Sequence, residues 1–168
     1  MASSAPVKRL KLLVPALLLA LVGSLLFAIF TATPRTPPAM LGASAQLDGG
    51  LARIHGVIPV ESDGWTPPAS APLPAATDDE LHRVRILVEL TALEPGGMKF
   101  DPSQYAVSSL GAATWKPVWF SPAPAMARQG ESISATLVYE LPDRAIELTL
   151  ELPGGPGLAL GAGHHRGG

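Results

Sequence analysis

Residues 79–105 read DELHRVRILVELTALEPGGMKFDPSQY, and whether RVRILVEL is a helix or a strand decides the fold. Val84, Ile86, Val88 and Leu90 fall on one parity; Arg83, Arg85, Glu89 and Thr91 fall on the other, with Leu87 the exception. Positions spaced by two scatter around a helix axis but line one face of a strand. The β-branched content also favours extended backbone. Pro95-Gly96-Gly97 ends the run as a turn. The stretch is therefore a half-buried strand.

The chain after it repeats the theme. QYAVSSL (104–110) reads as a short strand before a turn at Gly111. TWKPVWF (114–120) reads as another, which Pro117 demotes to an edge or bulged position. SPAPAMARQGE (121–131) reads as a connecting loop. SISATLVYEL (132–141) sets Ile133, Ala135, Leu137 and Tyr139 on one face, and Pro142-Asp143 makes a turn. AIELTLEL (145–152) alternates most cleanly, with Ile146, Leu148, Leu150 and Leu152 inward and Glu147, Thr149 and Glu151 outward. GLALG (157–161) adds a last short strand.

Upstream, Asp48-Gly49-Gly50 opens a strand over Leu51–Val60, with Ala52, Ile54, Ile58 and Val60 on one parity and Arg53 and His55 on the other. Residues 61–80 are rich in Pro, Ala and acid and read as a long loop, which in a compact domain is functional or mobile. Six or seven short strands with turn signals between them, and no helical period, predict an all-β fold: a small antiparallel, immunoglobulin-like β-sandwich over residues 48–160.

The N-terminus is different. Leu12–Ala32 contains no charged residue, about the length a helix needs to cross a hydrocarbon core. Lys8, Arg9 and Lys11 precede it and Arg35 follows alone, so the positive-inside bias puts residues 1–11 in the cytoplasm and the later chain outside the cell. A cleaved signal peptide has the same charge order but a shorter apolar core. Thr31-Ala32-Thr33 and Ala43-Ser44-Ala45 are the small-residue triplets near it. The expectation is one uncleaved N-terminal transmembrane helix at 12–32, a Pro/Ala-rich linker at 33–47 and a flexible Gly/His tail at 161–168.

Composition bounds the function. Residues 1–35 carry four basic side chains and no acid, so with a net charge of −2 the remainder carries six net negative charges. That argues against nucleic acid, which needs clustered Lys and Arg. The chain has no Cys, which removes disulfides, thiolate nucleophiles, Cys-ligated zinc and a bacterial lipobox. Asn is absent and Arg outnumbers Lys, the usage of a GC-rich, bacterial-type genome.

VRILVELTAL, then GGMKFDPSQYAVSSLGAATWKP, then MARQGESISATLVYELPDRAIELTLEL resemble the DUF4352-type, immunoglobulin-like extracytoplasmic domains of Gram-positive bacteria and actinobacteria. The Gly130-Glu131 turn and the closing Leu137-Val138-Tyr139-Glu140-Leu141-Pro142 carry the likeness, over residues 82–152. It implies a secreted or tethered, non-enzymatic module with no catalytic residues.

Candidate chemistry is sparse. Asp78, Asp79, Glu80 and His82 form an acidic strand start that could hold a cation, and His164 and His165 could bind Cu(II) or Ni(II) from the tail. His55 stands alone on its strand, and Met40, Met98 and Met126 are scattered, though folding could join Met98, Met126 and His82 as a soft copper site. No G-x-S-x-G elbow and no phosphate-cradling Gly loop occur. Trp115, Trp119 and Phe120 surround Lys116 and Pro117; they are either core or an aromatic platform for a partner on an edge strand. No cofactor is expected. The expected function is a membrane-anchored binding or accessory module with a protein partner in the cell envelope; the alternative is a small extracytoplasmic protein handling copper or another divalent cation.

Overall fold

The structure, a computed structural model, describes residues 15, 17–24, 26–27, 37–75, 81–110, 113–143 and 146–161. The chain divides into two units, Met1–Arg35 and Thr36–Gly168. In the first, the described residues from 15 to 27 are helical. Leu17, Leu18, Leu19, Leu21 and Leu26 are exposed there. Consecutive exposed leucines, about 100° apart around a helix axis, leave it without a polar face. Among the described residues no helix is long and apolar enough to cross a membrane. Residues 12–14, 16, 25 and 28–32 of the expected span lie outside the described set, as does the tail from residue 162.

The second unit is all-β. Its strands are β1 (Ser44–Leu47), β2 (Gly50–Pro59), β3 (Leu81–Ala92), β4 (Met98–Phe100), β5 (Ala106–Ser108), β6 (Thr114–Trp115), β7 (Trp119–Ser121), β8 (Ala125–Ala127), β9 (Ser132–Pro142), β10 (Thr149–Glu151) and β11 (Leu158–Ala159). One five-stranded sheet runs β1-β2-β3-β9-β7, a second runs β11-β10-β5-β6, and β4 pairs with β8. All these strand pairs are antiparallel.

β3 and β9 form the centre. Their register sets Val84 opposite Tyr139, Ile86 opposite Leu137 and Val88 opposite Ala135, all buried. The second sheet adds Val107, Leu150 and Leu158 to the same core, and the β4–β8 pair adds Met98, Phe100 and Ala127. Full burial of each large aliphatic side chain contributes about 1.5–3 kcal/mol. The alternation in residues 84–90 therefore maps onto one buried face, as expected.

Among the described residues eleven strands form where the alternation predicted six or seven. Three of the additional ones, β1, β4 and β8, are three or four residues long, too short to display a period of two. β1 falls inside the expected linker. Ala45 and Leu47 enter the core, and Asp48-Gly49 makes a tight hairpin turn to β2. Gly50 is confined to glycine, because a Cβ there would lie 2.1 Å from the Thr91 carbonyl oxygen. Further upstream, Ala39 bridges Leu158 through Ala39 N–H to Gly157 O (2.9 Å) and Ala159 N–H to Ala39 O (2.8 Å).

Other differences have local causes. In β2 the register steps from Ile54↔Val88 to Gly56↔Leu87, so His55 is an extra, bulged residue. The parity flips there. Val57 and Pro59 follow Ala52 and Ile54 inward, while Ile58 joins Arg85 on the opposite face. TWKPVWF is two strands in two sheets: Trp115 pairs with Val107, and Trp119 pairs with Val138 across Pro117. Glu147 has a φ of 51°, which breaks the extended run. Ile146 is consequently 55% exposed rather than inward, while Leu148, Leu150 and Leu152 are buried as expected.

Candidate functional site

The central strands have a second face, turned away from the core. On it β3 carries Arg83 and Arg85 opposite Glu140 and Val138 of β9, and the edge strand β7 places Trp119 beside Val138. Arg85 is 6% exposed, Glu140 7% and Trp119 8%. A charge that deep is costly unless it is paired and hydrogen-bonded. Arg83 meets that demand by donating Nε and Nη2 to one Glu140 carboxylate oxygen at 2.9 and 2.6 Å.

The cover over this face is the proline-rich segment after β2. Arg85 Nη2 donates to the Asp63 carboxylate, and its guanidinium carbon lies 4.6 Å from the Trp65 ring centroid. That is cation–π range, strengthened by desolvation. Trp65 meets Trp119 edge to face, with centroids 5.3 Å apart and planes at 72°. Trp119 Nε1–H donates to Ala71 O at 2.7 Å, and Arg83 Nη2 donates to Pro74 O at 2.6 Å. Residues 63–75 thus lie as a strap across an arginine–tryptophan platform. The arrangement offers ring faces and hydrogen-bond donors, and its carboxylates face guanidinium groups. Its chemistry is that of holding a chain segment.

The residues singled out from the sequence are dispersed. Trp115 packs against the core and Trp119 lies on the opposite sheet face; Phe120 is 41% exposed on the edge. The three do not form one platform, because Pro117 sits where the chain passes between sheets. Asp78, Asp79, Glu80, His164 and His165 lie outside the described residues. His82 faces inward opposite Leu141, and its Nδ1 is 2.8 Å from Asp143 Oδ1. Met98 and Met126 lie beyond the far end of the twelve-residue β3, about 35 Å of strand away. His82 and these methionines therefore do not meet. His55 Nε2 lies 2.7 Å from Glu89 Oε2 on the surface. Among the described residues no three His, Asp or Glu side chains converge as metal ligands.

Among the described residues, three groups elsewhere are electrostatically displaced. Tyr105 is pushed up to about 12 by burial and then by the nearby Asp101 charge. Burial, with Tyr105 adding to it, raises Tyr139 still further, and its buried hydroxyl has no hydrogen-bond partner. Asp101 is lowered, chiefly by the Ser103 hydroxyl that donates to it at 2.7 Å. A groove of about 450 Å³ touches Asp48, Met98, Lys99, Tyr105 and Met126.

Sequence reasoning pointed to the 61–80 loop as a contact surface but gave no role to Asp63, Arg83 or Arg85 and no partner to Trp65. The available signal was a tryptophan within a proline-rich loop, together with two arginines at i and i+2 on the outer face of the central strand. Comparison with protein-family models, with curated proteins and with solved structures found no match.

Proposed function

We propose that the chain is a non-enzymatic, single-pass membrane-anchored module of DUF4352-type, immunoglobulin-like character, displayed outside the cell to bind a protein of the cell envelope. The observation that carries the binding reading is the platform itself: Trp119 Nε1 and Arg83 Nη2 are both aimed at main-chain carbonyls of one proline-rich segment. Donors placed this way suit recognition of a polypeptide.

Anchoring is supported by the uncharged Leu12–Ala32 run behind Lys8, Arg9 and Lys11. The exposed leucines of the helical segment support it too. So does Ser24, whose hydroxyl donates back to Leu21 O at 2.9 Å and so satisfies its own polarity within the helix.

The test is expression of the full chain in a bacterium, followed by alkaline carbonate extraction and protease treatment of spheroplasts. An anchored module stays in the membrane pellet at full length and loses residues beyond 36 to external protease. Release into the soluble fraction as a shortened chain would overturn the anchor.

A further inference from the structure

We propose that the outer face of the five-stranded sheet is a recognition surface for proline-rich, extended protein segments, which the chain's own residues 63–75 occupy in cis. This rests on the binding-module reading and names its ligand class.

The strap has the chemistry of such a ligand. Ala71 precedes Pro72 and Leu73 precedes Pro74, which biases both toward extended backbone, and each proline fixes its own φ near −65°. That bias is toward polyproline II, with three residues per turn, from Ala71 onward; just before it, Ala71 N–H closes a turn onto Pro68 O at 2.9 Å. The two carbonyls taken by the platform belong to Ala71 and Pro74, three residues apart. They therefore face the same side of the segment. An indole N–H and a guanidinium on one sheet face reading carbonyls at i and i+3 will accept any chain of that geometry.

Burial is unequal between the two partners. Arg85, Glu140 and Trp119 are buried, whereas no strap residue from 61 to 75 is; Trp65, Pro67 and Leu73 are half-buried and the rest exposed. A segment held by few apolar contacts and exposed along its length opens at lower free energy than the sheet beneath it. The strap also leaves a donor unused, because Arg85 Nε is buried without a hydrogen-bond partner. A ligand supplying one more carbonyl there removes that deficit. The strap lowers apparent affinity for a second segment by the fraction of time the platform is uncovered, so loosening it raises affinity without altering the platform.

The experiment uses the full chain in detergent micelles and a fluorescein-labelled peptide DGWTPPASAPLPA, the sequence of residues 63–75, read by fluorescence anisotropy. Trp65→Ala removes the strap's anchor and leaves Arg83, Arg85 and Trp119 in place; Asp63→Asn weakens the strap more gently. The expected result is binding to Trp65→Ala at least about tenfold tighter than to the unaltered chain, with Asp63→Asn between them. Adding Trp119→Ala to Trp65→Ala erases the gain, and a peptide with serine for each proline binds at least about tenfold more weakly. Equal or absent binding to all forms, with the β circular-dichroism spectrum and cooperative unfolding retained, overturns the proposal. So does loss of folding in both Trp65→Ala and Asp63→Asn, which would make the strap a fixed part of the fold. The readout is independent of membrane insertion: a chain released by cleavage refutes anchoring and leaves this result standing. Failure of the peptide leaves an anchored module that binds through another surface.

Discussion

Arg85 holds its guanidinium carbon 4.6 Å from the Trp65 ring centroid, although the two lie on different elements, one in the central strand and one in the loop after β2. Asp63, two residues before Trp65, takes Nη2 of the same guanidinium. One short loop thereby both neutralises and caps a cation that the sheet has taken out of water. The buried arginine and the strap depend on each other, and the consequences of that dependence are measurable.

Trp65→Ala removes both the cation–π contact and the edge-to-face contact with Trp119. A loss of about 1–3 kcal/mol in unfolding free energy is expected, measured by urea titration. Trp119 gains exposure, so tryptophan emission shifts to longer wavelength before the main unfolding transition. An unchanged spectrum would mean that Trp119 does not depend on the strap for its burial.

Glu140→Ala leaves the half-buried Arg83 without its carboxylate and should cost about 1.5–3 kcal/mol. The double substitution Arg83→Met/Glu140→Leu should recover most of that, because the desolvation cost disappears with both charges. A double variant as unstable as the single one would show that the pair also holds the strap through Pro74.

Gly97 sits at φ 72°, and a Cβ there would lie 2.4 Å from the Ala127 carbonyl oxygen. Gly97→Ala should therefore destabilise the domain by more than the roughly 1 kcal/mol expected from backbone strain alone, as read from the thermal midpoint. Stability equal to that of the unaltered chain would contradict the close packing of the β3–β4 turn against β8.

Alkali should weaken the domain through its two buried phenols. Tyr105 is held up to about 12 and Tyr139 is raised beyond it, while an unfolded tyrosine ionises near 10. The folded state keeps protons that the unfolded state releases, so this stability is complete below about pH 10 and is lost as pH rises toward 12. Denaturant titrations between pH 9 and 12 check the slope. Tyr139→Phe should reduce it. Because the Tyr139 hydroxyl is buried without a partner, the substitution should leave neutral-pH stability unchanged or raise it by up to about 1–2 kcal/mol.

Most of the framework was legible in β3 and β9. Val84–Leu90 and Ile133–Tyr139 alternate because one face of each strand is core and the other is not. The outer face misled in a specific way. Arg83 and Arg85 look like solvated polar positions, yet Arg85 is buried and Arg83 half-buried beneath a loop whose prolines carry no periodic signal. The bulge at His55 inverted the second half of β2, because one extra residue reverses a period of two. Trp115 and Trp119 share a parity but lie in different sheets, since parity along a chain holds only while the chain stays in one sheet. Trp119 was found by residue type. Its partners were not, because a contact between a strand and a loop about 50 residues away leaves no local pattern.

The most direct test of the strap as a removable occupant is native-state hydrogen exchange on the full chain, read by mass spectrometry over residues 61–75 and over β3 and β9. The account predicts that the strap amides exchange through openings well below the free energy of global unfolding, while those of Val84–Leu90 and Ile133–Tyr139 exchange only with it. Strap amides that exchange at the same free energy as the two central strands would contradict it.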